Sequence, residues 1–216
     1  MGQRIVVVAG GERVPTPLPG EVANAIVVAA DSGLDGAFDA GLPVSVAIGD
    51  FDSVSSTALE RAGREGVRIE RHPAEKDQTD LELALHEAIR LGATDVIVLG
   101  IGGGRQDHLL ANLLVLGAPF LASCRVTAYV AGARVHVVRG GAVVELVGAV
   151  GETVTLVPVG GPGVGITTTG LKYSLRDDRL EPGTTRGVSN VIEQSPATVA
   201  LAEGVLLAIL PGQGAS

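Results

Sequence analysis

Cysteine occurs once in these 216 residues, at position 124, so no internal disulfide can staple the fold. Tryptophan is missing and aromatics amount to 2%, too few for the stacking platform on which single-stranded nucleic acid is bound. No apolar run reaches the roughly 18 to 20 residues that span a bilayer. The longest, Leu109 to Cys124, is interrupted by Asn112 and Pro119 and stops at Arg125. Near the start, Ile5 to Ala9 is too brief for a secretory h-region, and Val6 stands where a myristoylation signal needs Ser or Thr. A reducing cytoplasm, with no membrane partner, is the expected setting. Basic charge is scarce too: 16 Lys and Arg face 24 Asp and Glu, a formal charge of −8. Most of the surplus lies early, with 17 acids and 10 bases in residues 1–133 against seven and six afterwards. Such a surface repels nucleic-acid phosphates, and a small polyanionic ligand would need a divalent cation as intermediary.

Apolar material is ample, at 46% of residues and a mean hydropathy of +0.38, which rules out disorder. Short Val/Ile-rich runs predict strands at Ile5–Ala9, Ala25–Ala30, Val44–Ile48, Val67–Glu70, Asp95–Leu99 and Arg125–Val130. Helical segments alternate with them: Ser55–Glu65 opens on residues that can cap, Leu81–Leu91 lines up Leu81, Leu85, Ala88 and Ile89, and a third runs through Leu109–Leu116. That alternation predicts an α/β domain with a mostly parallel sheet over residues 1–132. From 133 to 216 the pattern becomes strands without helices, at Val135–Val138, Val143–Val147, Thr153–Val159, Ile166–Thr169, Val188–Glu193 and Ala197–Ala202. Glycine-rich turns separate these runs, as in an all-β sandwich.

Carboxylates stand where ligands bind an open α/β sheet, at the carboxyl ends of its strands. Asp31 follows the second strand, Gly49-Asp50-Phe51-Asp52-Ser53 follows the third, and Lys76-Asp77-Gln78-Thr79-Asp80 opens a helix. Asp50 and Asp52, two apart, point the same way in an extended segment and repel unless a cation sits between them. With Asp80 they offer the oxygen-only set that suits Mg²⁺. Asp77 also has a simpler use, capping the helix that follows it.

Gly100-Ile101-Gly102-Gly103-Gly104-Arg105-Gln106-Asp107-His108 joins a strand to a helix and has the outline of a phosphate loop. Consecutive glycines let backbone N–H groups approach an anion, and Arg105 offers a bidentate fork. The loop matches neither the dinucleotide fingerprint, because position 105 is not Gly, nor a Walker sequence. His72, His86 and His136 show no zinc-ligand spacing, and no Gly-x-Ser-x-Gly elbow occurs.

Taken together, Gly49–Ser53, Asp77–Asp80, Gly103–His108, Thr168-Thr169-Gly170-Leu171-Lys172-Tyr173 and Gly187-Val188-Ser189-Asn190 resemble the thiamine pyrophosphokinase family, in the family's order and over nearly the whole chain. The resemblance implies Mg²⁺-dependent transfer of the ATP pyrophosphoryl group to the hydroxyl of thiamine, giving thiamine diphosphate and AMP, by a homodimer. It implies that Asp50, Asp52 and Asp80 hold the metal, that Asp31, Asp77 and Gln78 line the nucleotide site, and that Gly102, Gly103, Gly104, Arg105 and Asp107 form the phosphate loop. Asp77 and Arg105 would join the three metal-binding acids in catalysis. Tyr173, Ser189 and Asn190 would contact thiamine from the second domain, Tyr173 replacing the Trp common in the family. Two rival readings are a non-catalytic sensor of thiamine diphosphate or nucleotide and a metal-dependent phosphohydrolase. The intact acids argue against the sensor, and Ser189-Asn190 with the second domain argue against the hydrolase.

Overall fold

A computed structural model describes residues 2–212. The chain divides into two compact units, Met1–Ala131 and Gly132–Ser216.

In the first unit six strands form a wholly parallel sheet: β1 (Gln3–Val8), β2 (Ile26–Ala30), β3 (Val44–Gly49), β4 (Arg68–Arg71), β5 (Ala93–Leu99) and β6 (Arg125–Val130), in the order β6-β5-β1-β2-β3-β4. The central strands read as unbroken Val/Ile/Leu because both faces are covered: Val6, Val8, Ala29, Ala47, Ile97 and Leu99 share one core with Leu34, Phe38 and Phe51. Strand order reverses between β1 and β5, so the ligand crevice of such a sheet belongs outside their carboxyl ends.

Four helices occur among the described residues of this unit: α1 (Gly33–Asp39), α2 (Ser56–Glu65), α3 (Asp80–Arg90) and α4 (Gln106–Val115). Ser55 caps α2, its hydroxyl accepting from Ala58 N at 3.1 Å, and Gly66 ends it in the left-handed region at φ 74°. α3 is capped by Thr79, whose Oγ1 accepts from Glu82 N at 3.2 Å. The cap anticipated at Asp77 is therefore two residues too early, and the exposed Asp77 side chain is free of that duty. α1 had no sequence signal, because seven residues with two glycines show no readable period.

The second unit holds β7 (Ala133–Arg139), β8 (Ala142–Leu146), β9 (Thr153–Pro158), β10 (Gly163–Thr169), β11 (Asp178–Leu180), β12 (Asn190–Val191), β13 (Ala197–Leu201) and β14 (Val205–Leu210). They pair antiparallel in two sheets, β12-β9-β14-β7 and β11-β10-β13-β8. Inward residues of both, among them Val138, Leu156, Leu206, Leu146, Ile166 and Val199, make one core, which is a sandwich. Of the strand anticipated over Val188–Glu193, Asn190–Val191 pairs with β9 and Ile192 bridges Leu171, and Ser189 turns the backbone at φ 60° just before them. No described helix is long and apolar enough to cross a membrane.

Candidate active site

The carboxyl edge of the parallel sheet gathers the acids. β2 ends at Asp31, whose N–H donates to Ile48 O at 2.8 Å while its own φ is 46°. The tie to β3 is close enough to need glycine at 49: at φ 151°, a Cβ there would stand 3.2 Å from Asp31 Cα. Next, Phe51 holds φ 64° with its ring buried in the core. A left-handed bulky residue is a strained one, kept only where its surroundings over-determine it. Burying the ring fixes the turn, and the turn aims Asp50 and Asp52 on either side of it. Asp52 N donates to Asp50 Oδ1 at 3.2 Å, and Ser53 Oγ donates to Asp52 Oδ1 at 2.7 Å.

One carboxylate oxygen from each of Asp31, Asp50 and Asp52 lies within 4.8 Å of the other two. Asp31 Oδ1 is buried and has no hydrogen-bond partner among the described residues. Burial, reinforced by the charges of Asp80, Asp50 and Asp52, pushes the Asp31 carboxyl above the usual carboxylate range, against the backbone N–H of Ser32. Asp50 moves the opposite way, held down by the Asp52 N–H and by Lys76. Lys76 Nζ stands 3.2 Å from Asp50 Oδ2 and 3.1 Å from Asp80 Oδ1. The grouping thus differs from the one read off the sequence. Asp31, assigned there to nucleotide, converges with Asp50 and Asp52, and Asp80 joins them through Lys76. Three hard oxygens around one point, one of them lacking a donor, fit a divalent cation.

Gln78 turns back along α3, its Nε2 donating to Glu82 Oε1 at 3.4 Å. In the glycine loop, Gly100, Gly103 and Gly104 all have positive φ, and a Cβ at Gly103 would meet Gly11 O at 2.3 Å. The Gly102 N–H is already engaged, donating to Glu12 Oε1 at 3.2 Å, and the Glu12 carboxylate also accepts from Ala131 N at 2.9 and 3.0 Å. Glu12 escaped sequence reasoning because a lone acid in the β1–β2 connection carries no local pattern. Arg105 forks onto Asp107, Nη2 to Oδ2 at 2.6 Å and Nε to Oδ1 at 3.2 Å. That contact lowers the Asp107 carboxyl to about 2. Both side chains are largely in solvent, so the pair is screened and easily opened. α4 begins at Gln106, with Asp107 in its first turn, and among the described residues none of its side chains is buried although six are apolar; Leu110 is 60% and Leu114 50% exposed.

In the second unit Tyr173 is 61% exposed, with Lys172 Nζ 5.7 Å from its ring centre. Asn190 is 8% exposed. Its Oδ1 accepts from Tyr173 N and Val191 N, both at 2.9 Å, and its Nδ2 donates to Tyr173 O at 2.7 Å. Its amide is thus committed to the backbone that carries Tyr173. Ser189 keeps its side chain exposed while its N–H donates to Thr155 Oγ1 at 3.1 Å.

A parallel sheet with an acidic carboxyl edge and a glycine loop, followed by a β-sandwich, defines a two-domain phosphotransfer-type enzyme. Comparison with known proteins makes this specific. Residues 22–128 match the family model described as "Thiamin pyrophosphokinase, catalytic domain" and residues 143–206 match "Thiamin pyrophosphokinase, vitamin B1 binding domain". The chain belongs to the thiamin pyrophosphokinase family. The thiamine pyrophosphokinase of Bacillus subtilis strain 168 is 29% identical over 207 residues, 95% of this chain and 97% of that one. The crystal structure of the Bacillus subtilis thiamine pyrophosphokinase superposes with a TM-score of 0.84 at 26% identity, covering 98% of this chain and 100% of that one. That of the Geobacillus thermodenitrificans thiamin pyrophosphokinase gives 0.81 at 28%, covering 99% of each.

Proposed function

We propose that this enzyme transfers the pyrophosphoryl group of ATP to the hydroxyl of thiamine, releasing AMP and thiamine diphosphate, in the cytoplasm. The observation that carries the reading is the convergence of Asp31, Asp50 and Asp52 with an undonated oxygen, at the carboxyl edge of a sheet whose neighbouring turn is a glycine loop. The thiamine hydroxyl oxygen bonds to the β-phosphorus as the bond from that phosphorus to the oxygen bridging it to the α-phosphate breaks, so AMP leaves. Little covalent chemistry falls to the protein in such a transfer; alignment and charge neutralisation do.

Asp31, Asp50 and Asp52 would hold Mg²⁺, with Asp80 beside them. When bound, the ion neutralises phosphate charge and orients the chain of phosphates. The chain's own residues do the rest. Arg105, by exchanging Asp107 for a phosphate oxygen, supplies two parallel N–H donors. Gly103 and Gly104 leave room for the phosphates to approach backbone, while Glu12 fixes the loop through Gly102. Asp77, exposed and relieved of capping, and Gln78 line the nucleotide side. Tyr173 offers a face to the cationic thiamine ring. Asn190 holds Tyr173 in place, and Ser189 presents a hydroxyl beside it. The exposed Leu110, Ala111 and Leu114 of α4 support a homodimer, since apolar side chains left in solvent on one helix invite a second copy.

Incubation with ATP, Mg²⁺ and thiamine should give AMP and thiamine diphosphate in equal amounts by chromatography. ADP or inorganic phosphate in their place would mean a different reaction. Sedimentation should give twice the chain mass, and glutamate at Leu110 and Leu114 together should halve it.

A further inference from the structure

Arginine outnumbers lysine fourteen to two in this chain, and one of the two lysines is Lys76. It stands between β4 and α3 with only 13% of its side chain exposed, its ammonium 3.2 Å from Asp50 and 3.1 Å from Asp80. We propose that Lys76 is the internal counter-ion of the acidic site, a positioning residue that holds Asp50 and Asp80 toward one point while the divalent cation is away and competes with that cation for Asp50. The inference rests on the reading of these acids as a cation site.

Three facts lead to it. First, Asp31, Asp50 and Asp52 bring oxygens within 4.8 Å of one another, and like charges that close separate unless something positive neutralises them. Second, the Asp50 carboxylate is divided: Oδ1 accepts the Asp52 N–H, which fixes the turn, and Oδ2 faces Lys76. The oxygen on which the lysine rests is thus the one not spent on backbone. Third, residue type matters. An ammonium is a compact charge with three donors around one atom and can meet two carboxylates from different elements at once. A guanidinium spreads its donors over a plane and reaches two carboxylates only through different nitrogens, as Arg68 does with Glu70 and Glu87, so it cannot set a single charged atom between Asp50 and Asp80. A cation entering among Asp31, Asp50 and Asp52 meets a fixed positive neighbour. Lys76 therefore keeps the empty site assembled at the expense of cation affinity, which favours release of the ion with product.

The test is cation binding by the full chain without nucleotide. Mn²⁺ is the probe, followed by electron paramagnetic resonance, alongside thermal unfolding with and without a chelator. Wild type should bind Mn²⁺, and Asp52→Asn should not. The neutral variants Lys76→Met and Lys76→Gln should bind Mn²⁺ about tenfold more tightly than wild type. They should unfold at lower temperature with chelator and regain wild-type stability when Mn²⁺ saturates. Lys76→Arg, which keeps the charge, should stay within about threefold of wild type. Wild-type binding with both neutral variants equal to or weaker than wild type overturns the counter-ion while sparing the cation site. No Mn²⁺ binding by wild type overturns both.

Discussion

The carboxyl edge of the parallel sheet and the Asn190 corner of the sandwich satisfy their polar groups in opposite ways. At the edge, Asp31 Oδ1 is buried without a donor, two residues hold left-handed backbone, and acids converge. At the corner, three of the four hydrogen-bonding positions of Asn190 are filled by backbone of residues 173 and 191. The first region keeps unmet electrostatic demand at Asp31 Oδ1 beyond what Lys76 supplies to Asp50 and Asp80, and a ligand from outside can meet it. The second is already complete and serves to hold an exposed aromatic. A substitution at the edge should therefore remove activity and spare the fold, whereas one at the corner should cost stability first.

The sharpest break is Asp52→Asn. Its side chain is exposed, accepts from Ser53 Oγ, and otherwise faces the like-charged Asp31 and Asp50. Circular dichroism and the unfolding midpoint should barely move, while turnover falls about 10²- to 10³-fold, the usual cost of removing one electrostatic stabiliser. Full activity in this variant would take Asp52 out of the cation site.

The converse holds at Asn190. Asn190→Ala leaves the Tyr173 N–H and C=O without their partner in a part-buried spot, at a cost of about 1 kcal/mol. For a chain of this size each kcal/mol lowers the midpoint by roughly 2–4 °C. An unchanged midpoint with a raised thiamine KM would mean that the amide serves the ligand instead. Tyr173→Ala separates the two roles. It removes an exposed ring, so stability should hold while the thiamine KM rises about threefold to tenfold and the ATP KM stays constant, as expected for a cation–π contact. Initial-rate kinetics with each substrate varied in turn would read this.

The same contrast explains which features were legible in the sequence. The Val/Ile runs gave the parallel sheet because its central strands are short, apolar on both faces and bounded by turn residues, whereas the edge strand β4 is mostly polar and exposed. Asp50 and Asp52 were visible because a period of two places them together whatever surrounds them. The convergence of Asp31 with them was not, because it depends on β2 and β3 pairing so that Gly49 abuts Asp31. Glu12 and Lys76 were missed as actors for the same reason: each meets its partner across the sheet edge, 90 and 26 residues away in sequence. Asn190 was noticed as a motif residue, yet its three bonds to neighbouring backbone could not be read from a dipeptide. β14, six apolar residues paired on both sides, was not among the anticipated strands although its unbroken apolar run is of the kind that marks β1 and β5.

Asp31→Asn should give the smallest effect and tests the edge on its own terms. The folded-state pKa of Asp31 lies above its ordinary value of 3.8, chiefly through burial. Its contribution is favourable while the carboxyl is protonated, fully so below 3.8, and is lost as pH rises through the raised value. At neutral pH without cation the wild-type chain therefore carries an ionised, buried oxygen that lacks a donor. The amide removes that charge, and the variant should unfold about 1–2 °C higher in the presence of chelator, a modest gain because the carboxyl is only partly shielded from solvent. The gain should shrink as pH falls through that raised value, where the folded wild type protonates, and be gone below 3.8. With saturating Mg²⁺ the order should reverse, since wild type binds an ion that the variant has partly lost the means to hold. A variant less stable than wild type in chelator would show that the Asp31 carboxylate supports the fold, and the contrast between a demanding edge and a satisfied corner would fail at its most buried acid.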